Sequence, residues 1–332
     1  MTTTSSRWRR SGALAVAALL AVLLVGVGGA LGKFRKGLAD ARFGSASSSA
    51  GLLNTADAAG AEVVRIDVAW RKVAPGIEPI EPRNPASYNW GDLPAAVAAA
   101  NARGLDVLLT VYGAPDWAEG AGRPDWAPTG TWKPDPTKLG EFAHAIATRF
   151  KGQVRNYQAW NEPNIYTFLN PQYEGRKLVG PGHYRRMLNA FYAGINAEQP
   201  GAKVITAGTA PYGEPRGGRR TRPLTFWRKV LCLEGRRALK PAPCPTRARF
   251  DALAHHPINT SGGPRRSAVH PDDASTPDLK HVVRTLRKAE SSNRVAGRHA
   301  VWVTEFWWES RPPDRCTGVP LKRHARWTKQ AL

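Results

Sequence analysis

The chain repeats one unit along most of its length: a short apolar segment followed by a longer segment with the composition of a helix. Strands that alternate with helices of this length predict βαβ units and a parallel sheet. No strand is followed by a dinucleotide-binding Gly-x-Gly-x-x-Gly turn, which favours a (β/α) barrel over a doubly wound sheet. The predicted strands are Gly37–Ala41, Val63–Trp70, Leu105–Tyr112, Val154–Trp160, Lys203–Gly208, Phe250–His255 and Ala300–Glu305. The predicted helices between them are Ser48–Ala59, Leu93–Arg103, Pro136–Phe150, Tyr184–Gln199, Thr225–Leu233 and Asp278–Ser291.

A complete barrel of this type has eight strands, whereas the pattern provides seven. After the last predicted strand come a loop at 307–320 and one basic helix at 321–332. We therefore predict an α/β fold of the TIM (β/α)8 type over residues 33–332, truncated before the eighth strand and incomplete at its C-terminus. The alternative is that the first strand is assigned to the wrong segment.

The first 32 residues have the layout of an export signal. Arg7, Arg9 and Arg10 precede an uncharged run of mainly Ala, Leu and Val at 11–32, like a charged n-region followed by an apolar h-region. At roughly 20 residues the run is also long enough to span a bilayer. The positive charge places the N-terminus inside and the rest of the chain outside. We expect residues 1–32 to be a signal peptide or signal anchor of an exported protein, either secreted or anchored to the outer face of the cytoplasmic membrane.

Three cysteines suit an exported protein. Cys232 and Cys244 lie close together in a Pro/Arg-rich insertion, where a disulfide would hold a loop with little core. Cys316 is then left without a predicted partner. The sequence has no Cys-x-x-Cys or Cys/His spacing, so we predict no metal site, and the expected chemistry requires no cofactor.

The balance of charge is strongly basic, with a formal net charge of +22. A field of this sign attracts nucleic acid, anionic lipid or acidic polysaccharide. The basic residues are spread along the chain, and no nucleic-acid-binding module accompanies them. We expect a monomer that does not bind nucleic acid, and the basic surface tilts the expected substrate slightly toward acidic glycans.

Glu162 lies in the motif Trp-Asn-Glu-Pro-Asn at 160–164, directly after the fourth predicted strand. Barrel enzymes carry catalytic groups at the carboxyl ends of their strands. Pro163 ends the strand and restricts the local backbone, and the amide of Asn161 can hydrogen-bond a sugar hydroxyl. The alternative is a turn in which Glu162 is simply solvated.

A second carboxylate, Glu305, ends the seventh predicted strand. Two carboxylates roughly 5–5.5 Å apart can flank one glycosidic bond, one as nucleophile and the other as acid/base, with retention of configuration. Like charges at that distance also favour retention of a proton on one of the pair. The alternative for Glu305 is a structural partner for Arg65.

Polar residues also occur within the second and sixth strands. Arg65 and Asp67 alternate with apolar residues and face one side of their strand. Either Arg65 lies beneath Glu305 and lowers its pKa, or it pairs with Asp67 to support the barrel. His255 and His256 are adjacent on a strand, so at most one of them faces the site. Neither has convergent partners for a metal, and a hydrogen bond to a sugar is the expected role.

The order of these motifs resembles that of clan A glycoside hydrolases, particularly bacterial family 39-like and family 5-like members. Asn-Glu-Pro after a fourth strand and Thr-Glu after a seventh carry the resemblance, which covers residues 37 to about 325. The other matching segments lie at 37–40, 64–70, 113–117 and 254–257. The resemblance implies a retaining TIM-barrel glycosidase with Glu162 as acid/base and Glu305 as nucleophile.

The resemblance also implies binding roles. Asn161 would contact the sugar 2-hydroxyl, Arg65 would orient the nucleophile, and His255 or His256 would line the sugar site. We further expect substrate contacts from tryptophans near strand ends, although any loop tryptophan can instead be a hydrophobic anchor; these are Trp117, Trp160 and Trp307.

Two features depart from the family pattern. Many clan members carry an aromatic residue, often Tyr, that touches the nucleophile from the sixth strand, whereas this chain has His-His-Pro-Ile at 255–258. The eighth strand, which commonly brings a tryptophan platform for the sugar, has no counterpart in the pattern. The first departure changes a hydrogen-bond partner, and the second bears on folding and substrate binding together.

These observations predict hydrolysis of O-glycosidic bonds in an extracellular poly- or oligosaccharide by double displacement. Two alternatives stay open. The chain is a non-catalytic carbohydrate-binding protein on a degenerate barrel, or it is a membrane-tethered cell-envelope protein whose basic surface binds anionic wall polymers. Xylosides, glucosides, mannosides and uronides all fit the sequence.

Overall fold

Seven parallel strands form one sheet in the order of the chain. The structure, a computed structural model, describes residues 34–260 and 262–332, so the predicted export segment at 1–32 lies outside the described residues. Within the described residues, no helix combines the length and apolar character needed to cross a membrane. The strands are β1 (Gly37–Ala39), β2 (Val63–Ala69), β3 (Asp106–Tyr112), β4 (Asn156–Ala159), β5 (Lys203–Thr206), β6 (Ala252–His255) and β7 (Ala300–Val303).

Helices follow the strands, as the alternating pattern predicts. Two differences from the predicted helices stand out. The structure has an additional single-turn helix after β2, and the helix before β5 begins earlier than predicted. The α-helices are α1 (Ala46–Ala58), α2 (Trp70–Val73), α3 (Leu93–Asn101), α4 (Pro136–Arg149), α5 (Gly180–Glu198), α6 (Pro223–Val230), α7 (Leu279–Ser291) and α8 (Leu321–Ala331).

Local chemistry sets the ends of these elements. Asp135 caps α4 by accepting a hydrogen bond from the Thr137 backbone N–H at 2.7 Å, and a proline occupies the first helical position, where its missing N–H costs nothing. β1 is shorter than predicted because Asp40 accepts from the Arg42 N–H at 2.9 Å and starts a 3₁₀ turn. Capping of this kind competes with the extended backbone of a strand.

One apolar core lies between the sheet and the helices. Alternate residues of β2, such as Val64 and Ile66, are fully buried in it. α4 and α5 pack so closely that a Cβ atom on Gly194 would lie 2.2 Å from the Gly140 carbonyl oxygen. The burial of this core, rather than polar contacts, provides the driving force for the fold.

The sheet is open but curled. β1 and β7 are its two edges, yet Arg65 on β2 contacts Glu305, just past β7, at 2.7 Å. Four strands separate β2 from β7 in the sheet, so this contact crosses the inside of the curl. The predicted α/β fold of the barrel type is therefore confirmed, as a seven-stranded parallel sheet that curves like part of a barrel wall.

The Pro/Arg-rich insertion after α6 contains the predicted disulfide between Cys232 and Cys244, whose Cα atoms are 5.6 Å apart. A short antiparallel pair, Leu233–Glu234 with Lys240–Pro241, lies inside the same loop. Cys316 is an exposed free thiol.

Candidate active site

Glu162 is presented by a strained turn at the end of β4. Trp160 and Glu162 have positive backbone φ angles of 80° and 33°, a region that residues other than glycine rarely adopt. The Glu162 N–H donates to the Gly208 carbonyl oxygen at 3.0 Å. Asn164 receives a hydrogen bond from the Ala210 N–H at 2.8 Å. These contacts with the segment after β5 stabilise a backbone that would otherwise relax.

Glu305 is held by Arg65, which is only 6% exposed. The Arg65 Nη1 donates to Glu305 Oε2 at 2.7 Å. Burial alone would raise the pKa of the Glu305 carboxyl, but nearby His256, the charge and hydrogen bond of Arg65 and a hydrogen bond from Trp307 hold that pKa below its usual value. An ionised carboxylate is the form that acts as a nucleophile.

His256 lies between the two carboxylates and is fully buried. Its Nδ1 is 3.1 Å from Glu162 Oε1 and 3.6 Å from Glu305 Oε2, while its Nε2 is 3.0 Å from Thr304 Oγ1. The Gln158 amide donates to the same Thr304 oxygen at 3.0 Å, which leaves the hydroxyl proton available for Nε2. Both carboxylates therefore lie close to one ring nitrogen, Nδ1 of His256.

A belt of buried hydrogen bonds joins the strands beneath the carboxylates. The Arg65 Nε donates to Thr110 Oγ1 at 3.0 Å, and the Thr110 hydroxyl donates to Gln158 Oε1 at 2.9 Å. Thr110 and Gln158 are register partners on β3 and β4. The belt continues from Gln158 through Thr304 to His256. A network in which each member has partners keeps its side chains in one arrangement.

The sequence predictions did not include Thr110, Gln158 or Thr304 as site residues. The signal that identified Arg65, a polar residue between apolar neighbours on a strand, also applies to Thr110 and Gln158. Gly208 was missed for another reason: its role appears only in three dimensions. A Cβ atom there would lie 2.1 Å from the His256 ring, so any larger residue displaces the imidazole.

Asn161 and Asp67 complete the surroundings of Arg65. The Asn161 Oδ1 accepts from Arg65 Nη2 at 3.0 Å, and Asp67 accepts from its Nε at 3.1 Å. Burial raises the pKa of Asp67, with Arg65 opposing the rise and Glu305 adding to it. The sequence offered Glu305 and Asp67 as alternative partners of Arg65, and Arg65 contacts both of them.

His255 points away from this cluster. Its Nδ1 is 2.8 Å from Thr209 Oγ1, and its Nε2 is 2.8 Å from the Ala274 carbonyl oxygen. Thr209 accepts from the Trp227 indole, so its own proton goes to His255. Burial lowers the pKa of His255 to about 4. His255 is thus a satisfied, neutral core histidine on the opposite side of β6, and the structure gives it no position facing the sugar.

The predicted tryptophans likewise divide into residues that pack in the protein and one that contacts the carboxylate site. Trp160 is buried and donates to the Phe168 carbonyl at 2.8 Å. Trp117 donates to the Pro75 carbonyl at 2.9 Å and packs edge-on against Trp70. Both therefore act as anchors of their loops. Trp307, by contrast, is 44% exposed and contributes a hydrogen bond to Glu305.

The chemistry available here is that of two carboxylates with different partners. Glu305 is paired with a buried guanidinium, whereas the partner of Glu162 is the imidazole Nδ1 of His256. In the part of the chain that the structure describes, no group of three or more His, Cys, Asp or Glu side chains is placed to hold a metal ion. Acid/base and nucleophilic chemistry are what these residues can perform directly.

Comparison with solved structures places the fold. No protein-family model matches the chain, and no curated protein matches it in sequence. A family 39 glycoside hydrolase from Bacteroides cellulosilyticus has a TM-score of 0.58 and 18% identity, over 90% of this chain and 53% of that enzyme. The Cel5A protein of Thermotoga maritima, solved with cellobiose, has a TM-score of 0.51 and 15% identity, over 89% of this chain and 82% of that one.

The virulence factor SghA of Agrobacterium tumefaciens is similar at a TM-score of 0.52 and 14% identity, over 80% of this chain and 67% of that protein. The chain spans about half the length of the family 39 enzyme. At these identities the likeness concerns the fold. The chain therefore has the barrel-type α/β fold of family 39 and family 5 glycoside hydrolases, as its resemblance to clan A implies.

Proposed function

We propose that the chain is a retaining glycoside hydrolase in which Glu305 is the nucleophile and Glu162 the acid/base. The observation that carries the proposal is the buried contact of 2.7 Å between Arg65 and Glu305. This contact helps to lower the pKa of Glu305 and so keeps it ionised. Glu162 has no arginine or lysine partner among the described residues, and it is free to exchange a proton with a substrate oxygen.

The separation of the carboxylates supports retention. Both approach the same atom, His256 Nδ1, at 3.1 and 3.6 Å. The separation of the two oxygens cannot exceed the sum of these distances. This upper limit of 6.7 Å, from 3.1 and 3.6 Å, admits the roughly 5–5.5 Å of a retaining pair and excludes nearly all of the roughly 6.5–9.5 Å range of an inverting pair.

The steps follow from these positions. Glu162 donates its proton to the glycosidic oxygen while Glu305 attacks the anomeric carbon, the bond to the leaving group breaks, and a glycosyl ester forms on Glu305. Esterification removes the charge of Glu305. Glu162, now a carboxylate, then takes a proton from water, which attacks the anomeric carbon and releases the sugar with its configuration retained. Arg65 and His256 hold the two carboxylates in place.

We propose a poly- or oligosaccharide outside the cell as the substrate and a monomer as the working unit. Support for an extracellular substrate comes from the basic and apolar pattern of residues 1–32. The same pattern supports secretion or attachment to the outer face of the cytoplasmic membrane.

A panel of aryl glycosides tests the proposal. We expect the wild-type chain to release the phenol from at least one sugar and Glu162→Gln to lose activity most strongly on poor leaving groups, which require the proton. Glu309→Gln is a matched control, because Glu309 is exposed and follows β7 as Glu305 does. Equal activity of wild type and Glu162→Gln on every leaving group would contradict the acid/base assignment.

A second candidate, a carbohydrate-binding protein without turnover, is favoured by one observation. Glu305 follows an edge strand, so the sheet is open beside the nucleophile. The two functions separate in one measurement: glycan binding by wild type with no hydrolysis of any aryl glycoside supports binding alone.

A further inference from the structure

Arginine side chains and aromatic rings alternate along the loops that follow β3, β4 and β5. The Arg219 Cζ lies 4.4 Å from the centre of the Trp126 ring and 6.0 Å from that of Tyr166. The Arg220 Cζ lies 5.3 Å from the Tyr166 ring and 5.4 Å from the Tyr212 ring. We call this set the arginine–aromatic row, with the members Trp132, Trp126, Arg219, Tyr166, Arg220 and Tyr212.

The middle of the row is connected to Glu162 through the chain. Tyr166 belongs to the segment that directly continues the Glu162 motif, and Ile165 forms an isolated antiparallel bridge with Arg220. This bridge holds the loop after β5 against the segment that carries the proposed acid/base. A polymer lying across the two carboxylates can therefore extend onto the row.

The outer end of the row lines a cavity of about 390 Å³, a size found in small-molecule binding sites. Trp126 and Trp132 meet there edge to face, with ring centres 6.2 Å apart. Trp126 is 40% exposed, which is unusual for so large an apolar ring. An exposed ring in a cavity offers a stacking surface for the apolar face of a sugar.

The charge of this cavity is positive. Three charged residues line it, Lys133, Glu174 and Arg219, and Lys133 pairs with Glu174 at 3.0 Å. Nearby Glu214 is occupied as well, by the Arg220 guanidinium and the Arg219 backbone N–H. Within the described residues, no carboxylate pairs with the Arg219 guanidinium, which remains as the uncompensated charge.

We infer that the arginine–aromatic row binds a carboxylate-bearing sugar, so that the substrate class is an acidic, uronate-containing glycan. The Arg219 guanidinium contacts the Trp126 and Tyr166 rings and, within the described residues, makes no side-chain hydrogen bond, so its N–H groups are available for a two-point hydrogen bond with a carboxylate. The inference rests on the proposed function for its catalytic context. The binding site itself can be tested without turnover.

Calorimetric titration of the full chain provides that test, in a Glu162→Gln background that prevents hydrolysis. The probes are tetragalacturonate and its fully methyl-esterified counterpart, which has the same rings without the charge. We expect Arg219→Gln to weaken tetragalacturonate binding by about tenfold or more and to change binding of the ester less than about twofold. Trp126→Ala should weaken binding of both probes.

Arg216→Gln is the matched control. Arg216 is exposed in the same loop, but its Nε donates to the Arg176 carbonyl oxygen at 2.9 Å instead of stacking on a ring, so binding should not change. Unchanged tetragalacturonate affinity in Arg219→Gln would overturn the inference, as would tighter binding of a single-stranded tetranucleotide than of tetragalacturonate. Failure of the proposed function is a separate result, namely no hydrolysis of any glycoside by wild type.

Discussion

Glu162 and Glu305 follow strands with opposite surroundings. β4 lies in the middle of the sheet, pairs with β3 and β5, and has four buried residues. β7 is an edge strand that, within the described residues, pairs with β6 alone, and its first and last residues are exposed. Backbone hydrogen bonds therefore fix Glu162 from both sides but Glu305 from one.

Side chains provide further contacts on the Glu305 side. Arg65 reaches Glu305 across the curl, and Gln158 on β4 donates to Thr304 beside it at 3.0 Å. The position of Glu305 therefore depends on a few long-range polar contacts, whereas that of Glu162 depends on the hydrogen bonds of the central strands and on its turn. The two halves of the site should consequently respond differently to substitution.

The largest expected effect is that of removing Glu305, the proposed nucleophile. Glu305→Ala should lower turnover of an activated aryl glycoside by at least roughly a thousandfold. Azide should restore activity by entering the vacated space, with a glycosyl azide of inverted configuration as the product. In Glu162→Ala, azide should instead give the retained product, because Glu305 still forms the ester. NMR of the products distinguishes these outcomes, and identical stereochemistry in both variants would contradict the assignment.

Removal of the cross-sheet contact comes next. In Arg65→Met, burial of Glu305 remains while the charge and the hydrogen bond of Arg65 are lost, so the pKa of Glu305 should rise. As the pH is lowered, the ionised form of Glu305 should then be lost at a higher pH than in wild type. The acidic limb of the profile of kcat/KM against pH therefore moves to higher pH. At neutral pH we expect a loss of roughly a hundredfold. Arg65→Lys keeps the charge and should shift the limb less; an unchanged limb in Arg65→Met would refute the coupling.

Gly208→Ala tests the part of the site around Glu162, which lies at the end of a central strand. The added methyl overlaps the His256 ring, and relief requires movement of the imidazole or of the carbonyl that holds Glu162. We expect a loss of about 1–3 kcal/mol in the free energy of unfolding and roughly tenfold lower turnover. Gly201→Ala is the control, since a Cβ atom there meets nothing within 4 Å. Chemical denaturation and aryl-glycoside assays would show the contrast, and equal behaviour of the two variants would exclude crowding at Gly208.

The smallest expected effects are on stability, from valine-to-alanine substitutions in a central strand and in the edge strand. Val111 on β3 is fully buried, whereas Val303 on β7 is 41% exposed. Val111→Ala should cost about 2 kcal/mol of unfolding free energy, and Val303→Ala no more than about 0.5 kcal/mol. Urea denaturation of both variants checks the difference, and similar costs would mean that the edge is packed as firmly as the centre.

The fold and the position of two carboxylates at the ends of strands could be predicted because both depend on local pattern. Alternating apolar segments identify the strands, and the position of Glu162 or Glu305 after a strand places it at the catalytic edge of the sheet. Arg65 could also be predicted, since a charged residue in a buried strand requires a partner.

The hydrogen-bonded belt could not be predicted in the same way. Whether Thr110 meets Gln158 depends on the register between β3 and β4, which no single segment encodes. The periodicity of a strand places His255 and His256 on opposite faces but does not say which of them faces inward. That choice follows from the packing of Thr209 and Ala274 around His255.

The contact between Arg65 and Glu305 joins residues 240 positions apart in the chain. Contacts of such long range form late in folding, after the loop between them has been ordered. A chain with its helices and most of its strands in place would still lack an aligned, ionised nucleophile. Activity should therefore report on completed folding more strictly than helical circular dichroism does, and a growing chain on the ribosome would lack this contact until Glu305 had been made.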